Sequence, residues 1–269
     1  MGISRKLMGF RWHPRSFLVT AFAALVVLCW FDAQAGGSGD PSKGPRIKVA
    51  DEVFDFGYVP QKSLVSHIFW LQNSGGQTLE IKKLTPNCGC TEAPLEKHQA
   101  EPGDSIRVEI AFGTSSIHGS VRKFIQVESN AAGRVPALTF TANVVSDSED
   151  MGPLALKPSA VRLDDQRPDS TTSGWTTEVS LRNTSRSALE IRVISLPDRN
   201  VTVGDFPGWL GAGEERKIAL RFGPGLPAEV FSKSITFEAV GSDTVRSTLP
   251  IFKKKPWATD PGSGNVRRP

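Results

Sequence analysis

Tyrosine, cysteine, methionine and histidine are all scarce here: one Tyr, three Cys, three Met and four His among 269 residues. The single tyrosine, Tyr58, leaves the C-terminal half without the tyrosine corner of antibody-type domains. His67, His98 and His118 lie beyond the N-terminal leader, and none has ligand spacing to the cysteines. The chain has no Gly-x-Ser-x-Gly elbow, no phosphate-cradling glycine loop and no Asp-rich calcium loop, so those motifs of hydrolases, nucleotide binders and calcium binders are excluded. No uninterrupted helical stripe appears after the leader, and no second apolar run reaches membrane length. A basic surplus is missing too, once the net charge of +4 is located. Arg5, Lys6, Arg11 and Arg15 at one end and Lys253, Lys254, Lys255, Arg267 and Arg268 at the other hold nine of the 32 basic residues. Without them, and without the acids Asp32 and Asp260, the rest holds 23 basic against 26 acidic residues. That balance argues against a nucleic-acid groove.

What is present begins with an address. A basic stretch ends at Arg15, an uncharged apolar run extends from Phe17 to Phe31, and Ala33-Gln34-Ala35 places small residues at −3 and −1. At ~1.5 Å per residue the run spans about 22 Å, short of the roughly 30 Å hydrocarbon core. Residues 1–35 therefore read as a secretory signal cut between Ala35 and Gly36. The alternative is an uncleaved anchor, positive side in, which would be the chain's one contact with a membrane. Cys29 follows Leu28, which does not suit lipoprotein processing. Export would place the chain outside the cytoplasm and leave Cys88 and Cys90 in an oxidising compartment, an even count that fits one disulfide.

The remainder is strand-like. Val65, His67, Phe69 and Leu71 alternate with Ser66, Ile68, Trp70 and Gln72, and Ile106, Val108, Ile110 and Phe112 alternate with polar residues. Short segments of this kind, separated by Gly, Pro, Asn, Asp and Ser, predict an all-β chain of sandwiches. Self-comparison adds a repeat. Leu71/Leu181, Asn73/Asn183, Leu79/Leu189, Ile81/Ile191, Gly103/Gly213, Phe112/Phe222, Ile125/Ile235 and Glu128/Glu238 all share the offset 110. We read two tandem immunoglobulin-like β-sandwiches at residues 46–146 and 153–252, the second a diverged copy of the first. Residues 36–45 read as a flexible stalk, the acidic stretch 147–152 as a linker and 253–269 as a disordered tail.

The first copy carries Phe54-Asp55-Phe56-Gly57, then Asn73-Ser74-Gly75, Asn87-Cys88-Gly89-Cys90-Thr91, Pro102-Gly103 and Glu128-Ser129-Asn130. This order resembles the bacterial family catalogued as domain of unknown function 1573, an Ig-like family related to abnormal-spindle, hydin and sperm-protein modules. The resemblance covers about residues 47–145; Gln61-Lys62 stand where the family usually has Gly, and in the second copy Val161-Arg162-Leu163-Asp164 replaces Phe-Asp-Phe-Gly. It implies an exported sandwich, here in the periplasm or cell envelope, and brings no settled activity with it.

Cys88-Gly89-Cys90 is the most unusual local feature. In an extended strand residues i and i+2 share a face with Cα atoms about 6.6 Å apart. A disulfide prefers ~5.5–6 Å, so closure needs a bend, which Gly89 permits. The sulfurs can form a local disulfide, hold a metal as thiolates, or exchange as free thiols. At offset 110 the pair becomes Asp198-Arg199-Asn200, so the sandwich folds without it. A loop of three residues contributes roughly 1.6 kcal/mol by chain entropy, against ~3 for fifteen. The metal alternative would join Cys88, Cys90 and His98, a set suited to Cu(I) or Zn(II). His67, alternating with Phe69 and Leu71, reads as a core or rim residue. The pairs Asp164-Asp165 and Glu214-Glu215 read as solvated turn residues.

These readings together predict a non-enzymatic exported protein, an Ig-like binding or scaffold module for a protein or envelope-polymer partner, with no cofactor. The rival is a periplasmic thiol-redox or metal-handling protein centred on Cys88 and Cys90.

Overall fold

The structure, a computed structural model, describes residues 44–146, 151–163, 174–197, 200–223 and 231–253. The leader with its cleavage site at Ala35 and Gly36, the stalk up to residue 43, residues 147–150 of the acidic stretch, Asp164-Asp165, Asp198 and the tail from 254 lie outside the described residues. Within them the chain is all-β, without a helix.

The first half contributes β1 (Ile47–Val49), β2 (Val53–Pro60), β3 (Leu64–Asn73), β4 (Leu79–Pro86), β5 (Thr91–Glu92), β6 (Gln99–Ala100), β7 (Ser105–Gly113), β8 (Gly119–Ser129) and β9 (Leu138–Val145). The second contributes β10 (Leu154–Lys157), β11 (Val161–Arg162), β12 (Trp175–Asn183), β13 (Leu189–Ser195), β14 (Val201–Gly204), β15 (Trp209–Leu210), β16 (Glu215–Phe222), β17 (Phe231–Val240) and β18 (Thr244–Lys253). Two four-stranded sheets have the orders β1-β3-β7-β5 and β10-β12-β16-β14. The remaining strands form one ten-stranded sheet, β15-β13-β17-β18-β2-β9-β8-β4-β6, with β11 beside β18.

Period-two alternation is the reason these segments are strands. In β7, Ile106, Val108, Ile110 and Phe112 are buried while the residues between them are only half-buried. Each half centres on an apolar cluster, one built around Phe56, Phe69, Phe112 and Phe140, the other around Leu181, Leu220, Ile235 and Phe237, and Val145 and Tyr58 of the first half join the second cluster. The offset of 110 recurs in the ladders: Val65 opposes Phe112 and Trp175 opposes Phe222, Thr91 opposes Phe112 and Val201 opposes Phe222, Leu79 opposes Ala100 and Leu189 opposes Leu210. Asn73 and Asn183 repeat the same device: the Asn73 amide donates to the carbonyls of Gln77 and Ala100, and the Asn183 amide to the equivalent carbonyls of Ser187 and Leu210 and also to that of Gly211. At the end of the acidic stretch, Met151 is buried in the second cluster.

The halves meet along β2, β3, β17 and β18. β18 runs parallel to β2 with Ser247 opposite Tyr58, which makes the large sheet continuous. β1 pairs with β3 only from Leu71 to Asn73. Nearer its start, β3 would present open backbone groups, the usual liability of a sheet edge. Hydroxyls of β17 close it. Ser232 Oγ donates to Leu64 O at 2.8 Å, and Ser234 Oγ donates to Ser66 O at 2.7 Å while accepting from Ser66 N at 3.0 Å. Thr248 Oγ1 donates to Phe56 O at 2.6 Å. The buried hydroxyls of Ser234 and Thr248 thus find backbone partners, as burial of polar atoms requires, and the half-buried Ser232 does the same. Beside them Lys233 pairs with Glu109.

Candidate functional site

Asn87 to Cys90 make a turn between β4 and β5, and Cys88 and Cys90 are disulfide-bonded with Cα atoms 5.3 Å apart. Both cysteines are half-buried, and Cys90 packs against the first apolar cluster. The turn is anchored by its backbone. Gly113 N donates to Cys90 O at 2.8 Å, Asn87 N donates to Phe124 O at 3.0 Å, and Phe124 N donates to Asn87 Oδ1 at 3.1 Å. Gly223 N donates to Asn200 O at 2.8 Å, so the second half repeats the Cys90 anchor without a sulfur. Gly89 does not hold the bend through left-handed backbone. Its φ lies outside that region, and a Cβ placed on it would meet no atom within 4 Å.

Thr91, buried behind the turn, brings its hydroxyl within 3.4 Å of Cys88 Sγ and 3.9 Å of Cys90 Sγ. Disulfide sulfurs carry no proton, so the hydroxyl is the donor. His98 is engaged elsewhere: its Nδ1 lies 3.2 Å from Ile81 O, and its own carbonyl accepts from Ile81 N. Among the described residues no three His, Cys, Asp or Glu side chains form a set able to hold a metal, so Cys88, Cys90 and His98 are not gathered. Glu214 is tied down by Gly211 N at 2.7 Å and Arg216 Nε at 2.6 Å, and these bonds hold its carboxyl below the usual range.

A second cluster, at the junction of the halves, was not foreseen. The Phe54-Asp55-Phe56-Gly57 stretch lies against β18. Gly57 has φ +63°, and a Cβ there would collide with the backbone of Arg246. Asp55 Oδ1 accepts from Gly57 N at 3.0 Å and from Thr141 Oγ1 at 2.6 Å. Arg246 is held by Glu238 through Nε at 3.0 Å and Nη2 at 2.9 Å, and its guanidinium lies 6.0 Å from the centre of the Phe54 ring. The His67 ring stacks on Phe54 with centroids 3.5 Å apart. His67 Nδ1 is buried without a hydrogen-bond partner. Burial first, and the Arg246 charge second, push the His67 pKa down to about 4, so the imidazole is neutral at pH 7. Over this junction runs an open groove of about 480 Å³ lined by Asp55, Tyr58, Arg122, Asn143 and Arg246 among others. The signal in the sequence was the motif glycine; its partner Arg246, far away in the chain, had none.

Among the described residues the large exposed hydrophobics are Val53, Trp70, Phe124, Leu196 and Trp209, with Trp70 at 52% and Trp209 at 61% exposure. Phe124 and Val53 both oppose Thr139, so they share one row across the large sheet next to the turn. No described helix is long and apolar enough to cross a membrane.

No curated protein matches the chain. Among solved structures it is similar to a protein of unknown function from Porphyromonas gingivalis W83, at 9% identity over 76% of this chain and 98% of that one, with a TM-score of 0.29. It is also similar to the CupB2 chaperone of Pseudomonas aeruginosa, at 10% identity over 76% and 98% of the two chains, TM-score 0.27. A third is the sialic acid binding region of a Streptococcus sanguinis SK1 adhesin, at 10% identity over 79% and 78%, TM-score 0.30. Residues 47–144 match the family model described as "Protein of unknown function (DUF1573)", and the first sandwich is therefore a domain of that family.

Proposed function

We propose that the chain is a non-enzymatic, extracytoplasmic scaffold that presents the two sandwiches as one rigid body to a protein or polymer of the cell envelope. The observation that carries this reading is the junction. Serine and threonine hydroxyls of β17 and β18 bond backbone carbonyls of β2 and β3, and the large sheet runs through both halves. A flexible pair of domains has no use for such registration, because inter-domain contacts are ordinarily looser. Trp70, Phe124 and Trp209 then stand at fixed positions on the exterior, and exposed aromatics are common anchors of recognition.

Photo-crosslinking amino acids placed singly at positions 70, 124 and 209 test the reading in envelope fractions. A discrete adduct at one position, missing from a chain labelled at exposed Lys217, is expected. Absence of an adduct at all three positions overturns it. N-terminal sequencing of the same material checks export, with Gly36 as the expected first residue.

A further inference from the structure

The Cys88–Cys90 bridge has little structural work in the turn that carries it. The backbone of the turn is anchored by Gly113, Asn87 and Phe124, and the second sandwich keeps the corresponding Gly223 to Asn200 bond with no sulfur present. A bridge between residues two apart in sequence closes so small a loop that it constrains the unfolded chain very little. A disulfide stabilises most when it closes a long loop, and exposed bridges are the exchangeable ones; this one is half-exposed and joins residues only two apart in sequence.

We propose that Cys88–Cys90 is a transferable disulfide, exchanged with a protein dithiol that attacks at Cys88. The two sulfurs are not equivalent. Cys90 packs against the first apolar cluster, whereas Cys88 is not among the residues packed on it. The Thr91 hydroxyl, within 4 Å of both sulfurs, is placed to donate to whichever becomes a thiolate. The partner's first thiolate attacks Cys88 Sγ; a partner–Cys88 bond forms as the Cys88–Cys90 bond breaks, and Cys90 leaves as a thiolate. The partner's second thiolate then attacks the partner sulfur of that mixed disulfide and expels Cys88 as a thiolate. Both cysteine thiolates take up the protons released by the partner's thiols. In sum the partner dithiol loses two electrons and two protons and becomes a disulfide, while Cys88 and Cys90 gain them. Phe124, 38% exposed and hydrogen-bonded to Asn87 of the turn, offers that partner an apolar contact beside the reacting sulfur.

The full chain, oxidised, is equilibrated in buffers of reduced and oxidised glutathione, quenched with acid, alkylated and weighed. Reversible opening of the bridge with an unchanged circular dichroism spectrum is expected. A bridge that stays closed in excess reduced glutathione until the chain unfolds overturns the proposal. Two chains that also carry Cys29→Ser, and so keep a single cysteine each, locate the attack. Cys90→Ser, which leaves Cys88, should form the mixed disulfide with oxidised glutathione about tenfold faster than Cys88→Ser, which leaves Cys90. Equal rates, or the reverse order, overturn the assignment of Cys88. Thr91→Val should slow exchange about threefold and move its pH profile upward at an unchanged melting temperature, a response a packing role would not produce. An unchanged profile removes Thr91 from the mechanism.

Discussion

The two sandwiches follow one plan and treat the same edges differently. In the first, β2 pairs in parallel with β9 from Val53 to Pro60, interrupted by a bulge at Gly57. In the second, the counterpart β11 pairs with β18 only at Val161 and Arg162, and nearer the start of β18 it is Tyr58 in β2 of the first sandwich that pairs with Ser247. The corresponding central strands diverge likewise. β12 is covered by β10 over four residues, whereas β3 is covered by β1 over three and is completed by serines of β17. A repeated core with unequal edges is how a duplicated module becomes one body. Apolar faces are interchangeable between copies, but backbone edges must each find a specific partner.

The largest expected effect comes from forcing the first sandwich's motif to behave like the second's. Gly57→Ala places a Cβ in the Arg246 backbone at a positive φ, and should cost about 3–4 kcal/mol of unfolding free energy, from strain and overpacking together. Denaturant melts check it; a loss below about 1 kcal/mol would mean that β2 and β18 separate at no cost. Next is His67, whose counterpart at offset 110 is Thr177. The folded imidazole titrates at about 4, against an unfolded value near 6.5, so the unfolded chain binds the extra proton across that window. Its contribution should be whole above pH 6.5, fall by about 1.4 kcal/mol per unit between there and pH 4, and be level below. His67→Phe, able to keep the stack on Phe54, should remove that slope when its melts are subtracted from those of the native chain. An identical slope in both would assign it to other groups.

Smaller effects sharpen the contrast at the turn. Replacing both cysteines by serine, which brings the first turn closer to the second, should cost only about 1–2 kcal/mol. A loss above about 4 kcal/mol would show that Asn200 is no fair counterpart of Cys90. Gly89→Ala should change stability by less than about 0.5 kcal/mol, because its added methyl meets open space and its φ suits any residue. A larger change, read in the same melts, would locate the bend's requirement at Gly89 after all.

Much of the architecture was legible in advance. Ile106, Val108, Ile110 and Phe112 declared β7 by alternation alone, and the offset of 110 carried over from residue identities to ladder pairs such as Leu79 with Ala100 and Leu189 with Leu210. The approach of Cys88 to Cys90 was within reach because two residues separate them, although the flexibility of Gly89 proved not to be what the bend requires. The junction was not legible. Ser232, Ser234 and Thr236 alternate with Ile235 and Phe237 just as a solvent-facing row would, yet Ser234 and Thr236 are buried. Hydroxyls fit either water or a neighbouring carbonyl, so their side of the strand carries no signature in sequence. His67 likewise read as an ordinary core or rim residue, and only its placement between Phe54 and Phe69, near Arg246, isolates Nδ1.

Local rules thus determined the strands, their inward faces, the repeat and the small disulfide loop, because each depends on residues a few positions apart or on a pattern that repeats intact. Tertiary structure alone decided that the two sandwiches share a sheet, that Gly57 answers to Arg246 and that β17 closes the edge of β3. Those pairings join residues more than 150 positions apart, through backbone groups that every residue carries alike. A hydrogen bond to a carbonyl does not record which side chain stands behind it.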